Sequence, residues 1–248
     1  AVEKLWQAIL NAVRVTEDND PEAAWDQHNA TLQEKSGKLS ALDLDYLHYT
    51  APNGTDFKCW LIPGAKWGGG GASILDGTFH NPNMPTEEVF TSPMRGRCEG
   101  TLVSTMPLSY QGNLIRNFSV TFENGRAVSC QAEQGQALLE KMIHMDEGAA
   151  MLGELALVPY DSPISQSGIL YYNTLFDENA ACHVALGFGF PECVEGFDQM
   201  SEEELKEKGI NDSIIHVDFM IGCKDLSITG YTREGKAVQI FKNGNWAI

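Results

Sequence analysis

Hydrophobic and polar positions alternate with two different periods along this chain. Over the first 40 residues or so, apolar side chains recur at three-and-four spacing: Leu5, Ile9 and Leu10 with Trp6 nearby, then Trp25, His28, Leu32 and Leu39. That spacing lines one face of a helix, so two helices are expected. Asp20-Pro21-Glu22 marks the start of the second: Asp caps exposed N–H groups, Pro suits the first helical position, and Glu favours the positive end of the helix dipole. His28 lies on the packing stripe and is expected in the core.

From Asp43 the period falls to two, the mark of strands. Residues 46–50 and 57–61 form a pair around the turn Pro52-Asn53-Gly54. Residues 101–105, 114–122 and 126–132 read as a meander, with Asn124-Gly125 as a hairpin turn. A short helix over 136–145 buries Leu138, Leu139, Met142 and Ile143 and leaves His144 outside. Ser201-Glu202-Glu203-Glu204 has the form of a capping box opening an acidic helix. Residues 238–241 and 246–248 close the chain as a hairpin. Helices at the front and strands thereafter predict an α+β fold: a large, curved, mostly antiparallel or mixed sheet, barrel-like, with flanking helices. No linker divides the chain, so residues 1–248 are expected to form one domain.

One strand, residues 214–221, carries chemistry as well as packing. Alternation puts Ile215, Val217, Phe219 and Ile221 on an apolar face and sends His216 and Asp218 together to the other, about 7 Å apart along the backbone. An imidazole and a carboxylate side by side are good ligands for a divalent ion, and equally a satisfied pair closing a sheet face. Three more carboxylates and one imidazole sit at or within apolar strands: the adjacent Glu87 and Glu88 ahead of Val89, Glu154 in Gly153-Glu154-Leu155-Ala156-Leu157-Val158, and His183. A carboxylate entering an apolar strand is costly unless something compensates its charge. Periodicity alone does not choose between Glu87 and Glu88. Such a set is what a two-metal hydrolytic site requires, in which a shared carboxylate and a shared water lie between two ions about 3.5–4 Å apart.

Composition narrows the functional classes. With 34 acidic against 17 basic residues the net charge is −17, which repels phosphate backbones and argues against a nucleic-acid partner. No apolar run is long enough to span a bilayer and the first residues lack a signal-peptide pattern, so no membrane association is expected. The six cysteines form no C-x-x-C pair, which fits reduced thiols in a cytoplasm; Cys182, beside His183, is expected to be a buried bystander. Gly68-Gly69-Gly70-Gly71 lacks the spacing of either nucleotide-binding loop and reads instead as a loop beside the site.

The chain resembles the thermophilic metallopeptidase family, metal-dependent aminopeptidases of the aminopeptidase T and aminopeptidase S type. The resemblance rests on Asn83-Met84-Pro85-Thr86-Glu87-Glu88-Val89-Phe90-Thr91, on residues 153–158, on Leu175-Phe176-Asp177-Glu178-Asn179-Ala180 with His183, and on His216-Val217-Asp218-Phe219-Met220-Ile221-Gly222. It implies a cytosolic, usually homodimeric exopeptidase holding two divalent metal ions, most often zinc or cobalt, and removing N-terminal residues from peptides with a free N-terminus. By that resemblance the metal ligands are Glu88, Glu154, His183, His216 and Asp218; two readings of Glu87 stay open beside it, a proton shuttle and a supporting partner. Two departures are expected to matter. Phe190 stands where the family carries a tyrosine, and losing one hydroxyl donor to a tetrahedral intermediate typically costs about 10²–10³ in rate. The family's additional N-terminal α/β domain is expected to be absent, which would make this chain the metal-bearing portion. A catalytically impaired metal-binding scaffold and an amidohydrolase acting on small amides are the alternative readings.

Overall fold

The computed structural model describes residues 2–248. Two helices come first, Val2–Ala12 and Pro21–Ala41. Asp20 caps the second as its sequence predicts, accepting hydrogen bonds from the Glu22 and Ala23 N–H groups, and Trp25, Asn29, Leu32 and Leu39 are buried along it. The first helix is less well covered. Ala12 at its end packs with Ile164 and Ala180, whereas Leu5 and Trp6 lie exposed.

Apart from a two-stranded pair, Ala72–Ser73 with Phe79–His80, the strands divide between two large sheets, antiparallel in every pairing. A nine-stranded sheet runs Arg126–Gln134, Asn113–Glu123, Pro93–Val103, Asp56–Leu61, Leu44–Thr50, Ser227–Thr232, Ala237–Lys242 and Asn245–Trp246, with Leu108–Tyr110 paired to the second of these. A five-stranded sheet runs His216–Met220, His183–Gly187, Leu152–Leu157, Val89–Thr91 and Gly68–Gly69. The mixed α+β class and the large antiparallel sheet match the expectation, but the described strands form no closed barrel.

The reason lies at Ser92-Pro93, where the chain leaves the small sheet and enters the large one. Pro93 has no N–H to continue the ladder. The Ser92 hydroxyl, fully buried, takes over there, donating to the Gly153 carbonyl at 2.9 Å and accepting from the Phe190 N–H at 2.6 Å. The inner faces of the two sheets then pack on each other. Phe57, Phe118 and Phe122 from the large sheet and Val184, Leu186 and Phe219 from the small one, with Ile221 just past its edge strand, belong to one apolar cluster, and the Phe118 and Phe219 rings lie 5.4 Å apart. Burying one face of the small sheet in this way commits every second residue of its strands to the opposite face. No helix among the described residues is long and apolar enough to cross a membrane.

Candidate metal centre

The outer face of the small sheet gathers the titratable residues. Across three adjacent strands Glu154 stands opposite Ala185 and Ala185 opposite Asp218, so all three side chains point the same way. The alanine methyl leaves a gap between two carboxylates. His183 and His216 sit two residues before Ala185 and Asp218 and therefore share that face. Glu88 immediately precedes the strand Val89–Thr91 and completes the ring from the far side. The His216–Asp218 pairing read from alternation is present, with Nε2 and Oδ1 only 3.3 Å apart because the two side chains lean together.

The ligand atoms form two triads, Glu88, Glu154 and His183, and Glu154, His216 and Asp218, each with its atoms within 4.8 Å of one another. Glu154 belongs to both. His183 Nε2 lies 3.2 Å from Glu88 Oε2, and His216 Nε2 lies 3.2 Å from Glu154 Oε2. The other ring nitrogens are occupied: His183 Nδ1 faces the Ala181 carbonyl at 3.0 Å and His216 Nδ1 the Phe188 carbonyl at 2.8 Å. A carbonyl only accepts, so each Nδ1 carries a proton, which in a neutral ring leaves the Nε2 lone pair aimed at carboxylate oxygens. Lone pair facing lone pair at this distance is repulsive unless a proton or a cation lies between. Asp218 Oδ1 is buried without a hydrogen-bond partner.

A cavity of about 280 Å³ encloses the cluster and takes in a further carboxyl, Glu178, together with Asn83 and Phe190. Four carboxyls therefore face two imidazoles, and even with both rings protonated the fully ionised set stays two charges negative. The titration shifts record this imbalance. Burial pushes Glu154 and Glu178 each up to about 8. Burial works to lower the His216 ring, but the carboxyls of Asp218 and Glu154 beside it lift it to about 11, and Glu88 and Glu154 likewise carry His183 well above its usual value. Protons are thus drawn to positions where divalent cations would fit, and imidazole and carboxylate are donors that divalent metals accept.

Glu87 turns the other way. It is buried, with both oxygens 2.6 Å from Arg14 Nη2, while its backbone N–H donates to Asn179 Oδ1 at 2.7 Å. Burial lifts this carboxyl to about 7 against the pull of the guanidinium. His28 Nε2 lies 2.7 Å from the Thr86 carbonyl and so donates to it, placing this histidine in the packing face as its periodicity predicts. Cys182 is buried against Val158, outside the cavity, with its thiol pushed up to about 12 by burial. The glycine run borders the site: Gly68 and Gly69 pair with Phe90 and Val89. Two residues escaped the sequence reading. Glu178 lies in a one-turn helical segment too short to show a period, and Arg14 reaches Glu87 across 73 positions of sequence.

The sequence matches the family described as thermophilic metalloprotease (M29) over residues 1–246. Among curated relatives it is 52% identical to aminopeptidase AmpS of Bacillus subtilis (strain 168), over all of this chain and 60% of that protein, and 44% identical to aminopeptidase T of Thermus aquaticus with the same coverage. The solved structure of wild-type AmpT from Thermus thermophilus superposes with a TM-score of 0.92 at 40% identity, covering all of this chain and 59% of that one. The chain thus spans about 60% of the length of the relatives it matches.

Proposed function

The chain belongs to the thermophilic metalloprotease (M29) family, and on that footing we propose that it is the metal-bearing part of an aminopeptidase that releases N-terminal residues from peptides. One observation carries the reading: two ligand triads share Glu154, an arrangement that suits a pair of divalent ions joined by one carboxylate. Glu88 and His183 would hold one ion, His216 and Asp218 the other, and Glu154 both. The Ala181 and Phe188 carbonyls fix each ring so that Nε2 is the donor, the usual supporting arrangement for ligating histidines. When bound, such ions polarise a scissile carbonyl and acidify a water to near-neutral pKa.

The other side chains have separate tasks. Glu178, in the same cavity but outside both triads, is the carboxyl assigned to the substrate's α-ammonium, whose positive charge would favour its ionised form against the burial that lifts it to about 8. That contact would give the preference for a free N-terminus which separates an exopeptidase from an amidohydrolase. Phe190, its ring 5.0 Å from that of His216, offers no hydroxyl, so it shields the cavity from water rather than donating to a developing oxyanion.

The test is amino-acid release from leucyl and phenylalanyl peptides, with bound metal counted by elemental analysis. Two ions per chain, loss of turnover on chelation and no cleavage of N-acetylated peptides are expected. Turnover that survives complete metal removal, or that ignores acetylation, overturns the reading.

A further inference from the structure

Two separate segments wall the metal-bearing cavity, one carrying Asn83 and Glu88 and the other Thr174, Leu175 and Glu178. Asn179 ties them together. It is 1% exposed, in the one-turn segment Glu178–Ala180. Its Oδ1 accepts from the Glu87 N–H at 2.7 Å and its Nδ2 donates to the Leu175 carbonyl at 2.9 Å. Resting on the aminopeptidase reading above, we propose that Asn179 is a positioning residue. It fixes the separation between the ligand Glu88 and the amine-binding carboxyl Glu178, and so sets where the substrate's free amine lies relative to the ions.

Residues 81–88 bring Glu88 into the site, yet they lie outside any helix or strand, and Pro82 and Pro85 within them have no N–H to offer. Side chains hold the segment instead. From the helix Pro21–Ala41, Asn29 exchanges amide hydrogen bonds with Asn81 at 2.9 and 2.8 Å, and His28 donates to the Thr86 carbonyl. Those contacts anchor the segment to the helix, and Asn179 anchors it to the opposite wall of the cavity. Glu88 follows Glu87 and Glu178 precedes Asn179, so the two carboxyls hang one residue from either end of a single hydrogen bond. The amide cannot turn over without setting N–H against N–H and carbonyl against carbonyl, so its orientation is fixed. Little slack is tolerable there. The nitrogen and carbonyl carbon of one amino acid lie only about 2.5 Å apart, and a misplacement of about 1 Å costs up to about 10²-fold in rate.

The experiment uses the full metal-loaded chain, freed of unbound metal, as wild type, Asn179→Ala, Asn179→Leu, Asn179→Asp and Glu178→Gln. Calorimetry gives the affinity ratio of L-leucine to 4-methylpentanoate, its analogue without the amine, and leucyl-p-nitroanilide gives kcat/KM. Wild type should prefer L-leucine by about 10-fold or more, because a hydrogen bond between charged groups is at stake, and Glu178→Gln should remove most of that preference. Asn179→Ala and Asn179→Leu both delete the amide, one leaving its space and the other filling it. Each should cut the ratio about fivefold and kcat/KM about 10²-fold. A buried carboxyl at this position accepts from the Glu87 N–H and, when protonated, donates to the Leu175 carbonyl, so Asn179→Asp should recover most of both. A residue that only stabilised the fold would lower the melting temperature and leave the affinity ratio alone. If the ratio falls in Glu178→Gln but holds in Asn179→Ala and Asn179→Leu, or falls as far in Asn179→Asp as in Asn179→Ala, the positioning role is overturned and the aminopeptidase reading stands. A wild-type ratio in Glu178→Gln removes the amine contact and the positioning role with it. If wild type cleaves no anilide yet the ratios change as described, the peptidase reading fails and the role of Asn179 stands.

Discussion

Arg14→Met tests whether the helical N-terminal region is coupled to the metal-bearing segment. In the structure a single guanidinium nitrogen lies 2.6 Å from both oxygens of Glu87, whose side chain is 4% exposed, next in sequence to the candidate ligand Glu88. Methionine preserves much of the apolar stem and removes the charge. Breaking a buried ion pair from one side typically costs about 3–5 kcal/mol, because the remaining charge loses its partner. Burial already lifts Glu87 to about 7, so at pH 7.5 the carboxyl takes up a proton once Arg14 is gone, and linkage limits the expected loss to about 1 kcal/mol. For a chain of this size that corresponds to a drop in Tm of roughly 2–4 °C. The assay is urea and thermal unfolding in excess chelator at pH 7.5, for Arg14→Met, Glu87→Gln and the double variant. Because the cost arises from a buried acid that must hold a proton its unfolded form gives up at this pH, the double variant should be more stable than Arg14→Met alone. Additive losses, with no coupling between the two positions, would refute the reasoning and reduce Arg14 to a packing residue.

Three further outcomes follow from particular contacts. Gly187 has φ +107° and pairs with His216, and a Cβ there would sit 2.0 Å from the Ile215 carbonyl oxygen; Gly187→Ala should cost on the order of 3 kcal/mol and reduce bound metal, measured by unfolding and elemental analysis. Ser92→Ala removes the partner of both the Gly153 carbonyl and the Phe190 N–H, at about 1–3 kcal/mol for each buried group left unpaired, and Ser92→Thr should recover part of the loss in the same unfolding assay. The His28 ring, held down to about 4 by burial and by Arg14, should remain neutral in NMR titrations through pH 5. Its unfolded pKa is near 6.5, so the protonation penalty is absent above pH 6.5 and stability falls as pH drops towards 4, by about 3 kcal/mol relative to a His28→Leu chain; a midpoint near 6.5 in the folded protein would contradict this.

Local periodicity made much of the fold legible, and the limits of its reach explain what was not. The 214–221 alternation placed His216 and Asp218 on one face because a strand with one buried face leaves its other residues a single direction to point. Asp20-Pro21 and Ser201-x-x-Glu204 set helix starts through contacts spanning three residues, and both caps are present. The split into two sheets was not legible, since it depends on Ser92 meeting Gly153 and Phe190, which are distant in sequence. The choice between Glu87 and Glu88 was equally closed to alternation: both lie ahead of the strand Val89–Thr91, and what separates them is Arg14 on one side and His183 on the other. Glu178 stayed hidden because a single helical turn has no period to read.

The charge imbalance of the cluster leads to a prediction whose sign changes with metal. Without cations, Glu88, Glu154, Asp218 and Glu178 confront two imidazoles inside a largely buried cavity, so the fold carries a repulsion that protons relieve only in part. Replacing Glu154 by Gln keeps the shape and removes an acid that burial holds up to about 8, and with it the cost of keeping that group protonated in the fold, so in chelator the variant should be no less stable than wild type. With excess zinc or cobalt the comparison should reverse. Wild type gains RT ln(1 + [M]/Kd) from each ion it binds, about 2.7 kcal/mol when the metal stands at a hundred times Kd, and the variant forgoes the one residue common to both triads. Melting both proteins across a metal titration should therefore give curves that cross. If Glu154→Gln is destabilised equally in chelator and in metal, the carboxylate is a structural hydrogen-bonding group and the shared-ligand reading of the cluster fails.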